Sequence, residues 1–97
     1  MAEYELSKKA DDDLNDIYLF SYQRFGEAKA DAYLLALERR FSLLAAQPGL
    51  GRRIDHIRAG YFRYQHASHS IFYRLTDNGI IVMRVLHRSM DVGRHIG

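Results

Sequence analysis

The sequence predicts an α+β fold in which a helical hairpin packs on one side of a small, mainly antiparallel sheet. Three observations predict it. Apolar residues recur at helical spacing through the first half of the chain, the period becomes two after the single proline Pro48, and Asp77-Asn78-Gly79 separates the last two β-rich runs. A chain of 97 residues has room for one core, so residues 1–97 are read as one domain.

The elements follow in order. Tyr4, Glu5 and Leu6 read as a short edge strand, and the Ser7 hydroxyl suits the cap of a helix whose first turn carries Asp11, Asp12 and Asp13. Leu14, Ile17, Tyr18, Ser21 and Phe25 share one face of that helix, which closes at Gly26. Glu27 opens a second helix with the stripe Ala30, Tyr33, Leu37, Phe41 and Leu44, stopped by Pro48 and Gly49. Gln47 to Arg53 reads as loop. Tyr61 to His66, Ser70 to Thr76 and Ile80 to His87 read as strands, and the tail from Arg88 to Gly97 adds a helical turn or stays extended. The predicted order is βααβββ.

Asn78-Gly79 suits a two-residue type I′ hairpin loop, which would set Leu75 opposite Val82, Tyr73 opposite Arg84 and Ile71 opposite Leu86. Phe72, Ile81, Met83 and Val85 would then share the other face. One helical hairpin covers only one face of a sheet, so the apolar surplus calls for a cover. A partner protein would supply it, or else helix two, the 47–60 loop and the tail.

Composition excludes several classes. There is no Cys, hence no disulfide or thiolate metal site, and the cytoplasm is the expected compartment. No window approaches the length of an apolar membrane span, and the N-terminus lacks a signal core. Residues 1–46 carry six Lys or Arg against nine acids, whereas residues 47–97 carry eight Arg against three acids. A basic half favours nucleic acid, an acidic partner or solubility.

The five His, at 56, 66, 69, 87 and 95, match no metal-ligand spacing on a helix, so no metal or cofactor is expected. Three consecutive acids at a helix start point in different directions around the axis, which favours a cap and dipole role for Asp11 to Asp13. Pro48-Gly49-Leu50-Gly51-Arg52 lacks the spacing and the Lys of a phosphate loop. A metal-free ribonuclease could be assembled from His87 with Arg63, Arg74 and Arg84. No Tyr follows Tyr73 and no Lys follows Lys29, so no acid and base pair is evident.

Six strings stand in a fixed order: Leu6-Ser7, Arg24-Phe25-Gly26, Pro48-Gly49-Leu50-Gly51-Arg52-Arg53, Ala59-Gly60-Tyr61-Phe62-Arg63, His69-Ser70-Ile71-Phe72-Tyr73-Arg74 and Arg84-Val85-Leu86-His87-Arg88-Ser89-Met90-Asp91. Through their order and spacing the chain resembles the ParE branch of the RelE/ParE toxin superfamily along nearly its whole length. The resemblance implies the toxin of a type II toxin-antitoxin pair, a non-enzymatic inhibitor that binds DNA gyrase and blocks replication. It also implies a ParD-like antitoxin that folds onto the toxin in a hetero-oligomer. Neither a membrane nor sequence-specific nucleic acid is an expected partner.

The ribonuclease branch, which cuts messenger RNA on the ribosome, is the alternative. Its Arg and His-Tyr positions align here with Ser70, Arg88 and Ser89. A non-toxic interaction module with this fold is a further alternative. The expected target surface is the basic C-terminal end, Arg88, Met90, Asp91, Arg94 and His95. The expected antitoxin surface is Phe72, Ile81, Met83 and Val85, and no catalytic residue is assigned.

Overall fold

The computed structural model describes residues 2–97. Strand β1 (Glu3–Leu6) leads into helix α1 (Lys8–Phe25) and helix α2 (Glu27–Ala46). A 3₁₀ turn (Pro48–Leu50) and strand β2 (Arg52–Arg53) follow, then β3 (Tyr61–His66), β4 (His69–Leu75), β5 (Gly79–His87) and a last turn, α3 (Val92–His95). The sheet order is β1-β5-β4-β3-β2, with β1 parallel to β5 and the other pairs antiparallel. The α+β fold, the helical hairpin and its boundaries match the sequence reading. The two-residue β2 lies in a stretch read as loop, because two residues are too few to display a period of two.

Ser7 joins helix to sheet. Its hydroxyl oxygen accepts the Ala10 N–H at 3.0 Å and the same hydroxyl donates to the Met83 carbonyl at 2.7 Å, so the cap of α1 is fastened to β5. Gly26 alone connects the two helices. At φ +90 it donates its N–H to the Tyr22 carbonyl and accepts from Ala30, a conformation that side chains with a Cβ rarely adopt.

The helices bury Leu14, Ile17, Leu37, Phe41 and Leu44 against Phe62, Ile71, Tyr73, Ile80, Val82 and Val85. The opposite face of the sheet has its own smaller core. There Tyr61, Phe72 and Leu86 are covered by Ile54, Ile57, Val92 and Ile96, which belong to the loop before β3 and to the tail. The cover for the second face is therefore the chain itself.

The last hairpin departs from the expected register. Its loop residues are Asp77 and Asn78, with the Thr76 N–H bonded to the Gly79 carbonyl, and Leu75 pairs with Ile80 rather than Val82. Neither loop residue has positive φ, so the turn is not type I′. Further along, Phe72 pairs with Arg84 while Tyr73 pairs with Val82, which leaves Met83 as the extra residue of a bulge.

The bulge also corrects the expected antitoxin surface. Val82 and Val85 both face the helices, so Phe72 and Val85 lie in different cores, 0% and 2% exposed. Neither is a surface residue. Ile81 and Met83 remain half-buried. Among the described residues no helix is long and apolar enough to cross a membrane.

Candidate functional site

An apolar opening in the surface lies where the C-terminal half of α1 meets the start of α2 and the β4 and β5 ends that carry His69 and His87. It is a groove of about 710 Å³. Ile17, Phe20, Phe25 and Met90 supply much of its apolar wall, and Asp16, Lys29, Ser68 and His87 stand among them. Phe20 and Phe25 are each 57% exposed, and Leu19, Tyr22 and Met90 beside or within this region are also exposed. Burying such rings against water-free surface is favourable, so a groove of this size and lining is suited to an apolar occupant.

Phe20 sits on the α1 surface because it follows Leu19, one step off the stripe that buries Leu14 and Ile17. The surplus of apolar residues beside the stripe is the signal that could have marked the groove from sequence. The helix joint at Gly26 then sets Phe25 and Lys29 on the same lip, where the Lys29 ammonium lies 5.8 Å from the Phe25 ring centre.

The floor is polar at one point. The Tyr33 hydroxyl and His69 Nδ1 are 2.6 Å apart, and the rings of His66 and His87 lie close to Tyr33 and His69 respectively. Burial, then the neighbouring His87 and His66, push the His69 imidazole down to about 4. The ring is neutral at pH 7, and one hydrogen is shared between the phenol oxygen and Nδ1. Burial also raises the Tyr33 hydroxyl, which stays protonated. His66 is lowered by burial and by Arg40. His87 accepts the Ser89 N–H at Nδ1, 3.2 Å away, with the Ser89 hydroxyl at 2.7 Å.

The residues that could form a ribonuclease centre are not brought together. His87 lines the groove on the helix side. Arg63 and Arg74 lie on the opposite face, over Phe72 and Tyr61. The Arg84 guanidinium is held by Asp13 at 2.8 and 3.0 Å. Ser70 is buried, bonded to Arg63 at 3.1 Å and Gln65 at 2.7 Å. Among the described residues no cluster of His and carboxylates has the arrangement of a metal site. The three consecutive acids of α1 diverge as expected: Asp11 is exposed, Asp12 pairs with Lys8, and Asp13 turns inward to Arg84.

The expected target residues Arg88, Met90, Asp91, Arg94 and His95 are all exposed. The structure divides them. Met90 belongs to the groove, whereas Arg94 and His95 ride on α3, whose neighbours Val92 and Ile96 anchor in the second core.

The family model described as the ParE toxin of the type II toxin-antitoxin system, parDE, matches residues 4–92. The chain belongs to this ParE toxin family. It is 39% identical to Toxin ParE1 of Caulobacter vibrioides over 97 residues, covering 100% of both chains. It is 42% identical to Toxin ParE1 of Mycobacterium tuberculosis over 96 residues, covering 98% of each. Among solved structures, a chain of the chromosomal ParDE TA system from P. aeruginosa superposes with a TM-score of 0.76 at 22% identity, covering 90% of this chain and 96% of that one. That likeness establishes the fold.

Proposed function

We propose that this chain is the toxin of a type II pair that inhibits DNA gyrase by surface binding, without catalysis, and that a ParD-like antitoxin holds it through the apolar groove. One observation carries the reading: a 97-residue ParE-family domain keeps Phe20, Phe25 and Met90 in the open around a groove of about 710 Å³. An antitoxin segment that folds on binding would cover these rings with its own apolar face, in the manner of a helix in a groove. The scattering of His87, Arg63, Arg74 and Arg84 over two faces supports a binding mechanism over ribonuclease chemistry. The gyrase contact is placed on the exposed tail, Arg88, Met90, Asp91, Arg94 and His95. Met90 lies in both surfaces, so an antitoxin seated in the groove would also obstruct the target contact.

The test is calorimetric titration of the cognate antitoxin into the wild-type chain and into Phe20→Ser and Phe25→Ser variants. Both side chains are exposed, so the variants should melt where the wild type does and bind at least about tenfold more weakly, the effect of one lost anchor. Unchanged affinity in both would place the antitoxin elsewhere.

A further inference from the structure

On the sheet face opposite the helices, arginines gather without acids. Arg58 and Arg74 lie 5.1 and 5.8 Å from the centre of the Tyr61 ring, and Arg63 lies 5.7 Å from that of Phe72. Arg52 stands directly opposite Arg63 in the β2–β3 ladder. Two like charges at such a pair destabilise a sheet. None of the four is in an ion pair: among the described residues the pairs are Lys8–Asp12, Arg53–Asp55 and Arg84–Asp13. The nearby carboxylate, Asp55, is already engaged by Arg53 and by the Gly60 N–H.

Three of these guanidiniums are also held in place: Arg58, Arg63 and Arg74 each lie over a buried ring, and Arg63 is tethered to Ser70 and Arg58 to the Ile96 carbonyl. A patch of fixed guanidiniums without counter-charge fits phosphates.

We propose that this face is a sequence-independent contact for the phosphate backbone of duplex DNA. Tyr61 and Phe72, the aromatic rings among these arginines, are both buried. Unpaired bases would find no exposed ring to stack on, and the exposed Gln65 amide is already engaged by Ser70 and the Ala67 carbonyl, as Asp55 is by Arg53, so the face reads backbone charge. The occupant with backbone outermost is a duplex. The proposal stands apart from the groove and needs neither antitoxin nor gyrase.

The experiment measures fluorescence polarisation of two labelled duplexes of unrelated sequence, each of about 20 base pairs, with the purified chain from about 50 to 200 mM salt. The expected result is equal affinity for both duplexes and a log–log salt slope of about −3 to −4, as three or four phosphate contacts require. R52Q/R74Q, checked for native circular dichroism, should bind at least about tenfold more weakly and flatten the slope by about 2. R39Q/R40Q, which removes two charges from α2, should bind as the wild type does. Equal loss in both double variants would overturn the proposal, since net charge alone would then explain binding. Tighter binding of a single strand, a polyglutamate peptide binding where duplex does not, or no duplex binding at about 50 mM salt would each overturn it too.

Discussion

Asp13 of α1 accepts from Arg84 of β5 through both carboxylate oxygens, at 2.8 and 3.0 Å, and takes the Val85 N–H at 3.0 Å as well. The bulge at Met83 interrupts the ladder beside Val85, and the carboxylate satisfies the backbone donor there. Helix and bulge thus specify each other. The partners are 18% and 13% exposed, so solvent screens the pair only in part. Asp13→Asn should cost about 2–3 kcal/mol, somewhat below a fully buried pair because of that screening. Adding Arg84→Met should recover part of the loss, which a double-mutant cycle by urea unfolding would measure.

Tyr73 gives a second prediction. Its hydroxyl donates to the Pro48 carbonyl and accepts the Gly51 N–H at 3.0 Å, pinning the turn after α2 to the sheet. A Cβ on residue 51 would lie 2.1 Å from that oxygen. Gly51→Ala and Tyr73→Phe should each destabilise by about 1–3 kcal/mol. Together they should cost less than their sum, because the phenol oxygen that the methyl meets is gone. Thermal unfolding of the four proteins checks this.

Gly79 is small for space rather than for φ. A Cβ there would lie 1.9 Å from the Glu3 carbonyl oxygen, in the parallel β1–β5 ladder. Gly79→Ala should therefore detach β1 while the helical hairpin and β3–β5 remain folded. Hydrogen exchange reads it: the Ser7 amide, bonded to the Val82 carbonyl at 2.9 Å, should lose protection before those of β4.

His69 makes stability depend on pH. Its folded value of about 4 lies below the ordinary 6.5, so from pH 6.5 down to about 4 the unfolded chain binds a proton that the folded chain refuses. Its contribution to stability is complete above pH 6.5 and falls as pH drops through that window. Tyr33, His66 and His87 surround the ring. NMR titration should place the His69 ring near 4, and His87→Gln should move it upward, since the neighbouring His87 disfavours the charged ring.

Much of this molecule was legible in its sequence. The cap at Ser7, the joint at Gly26 and the stripe from Ala30 to Leu44 are local features, and each sits where local spacing put it. The last hairpin was not legible, because Asp77-Asn78-Gly79 permits two loops and the choice is made by β1, whose carbonyl at Glu3 requires glycine opposite. The bulge at Met83 depends on Asp13, seventy residues away in the chain. That contact moved Val85 into the helix-side core and out of the expected antitoxin surface. The groove escaped notice for the same reason: Phe20, Met90 and His69 become neighbours only when α1, the tail and β4 meet.

Inhibition of gyrase by binding, without cleavage of RNA, can be read in one experiment. The direct measurement adds purified chain to gyrase, supercoiled DNA and ATP, and in parallel to translating ribosomes carrying a defined message. Cleaved DNA should accumulate while the message stays intact. Ribosome-dependent cutting of the message, with gyrase unaffected, would contradict this mechanism and return His87 and the strand arginines to an active site.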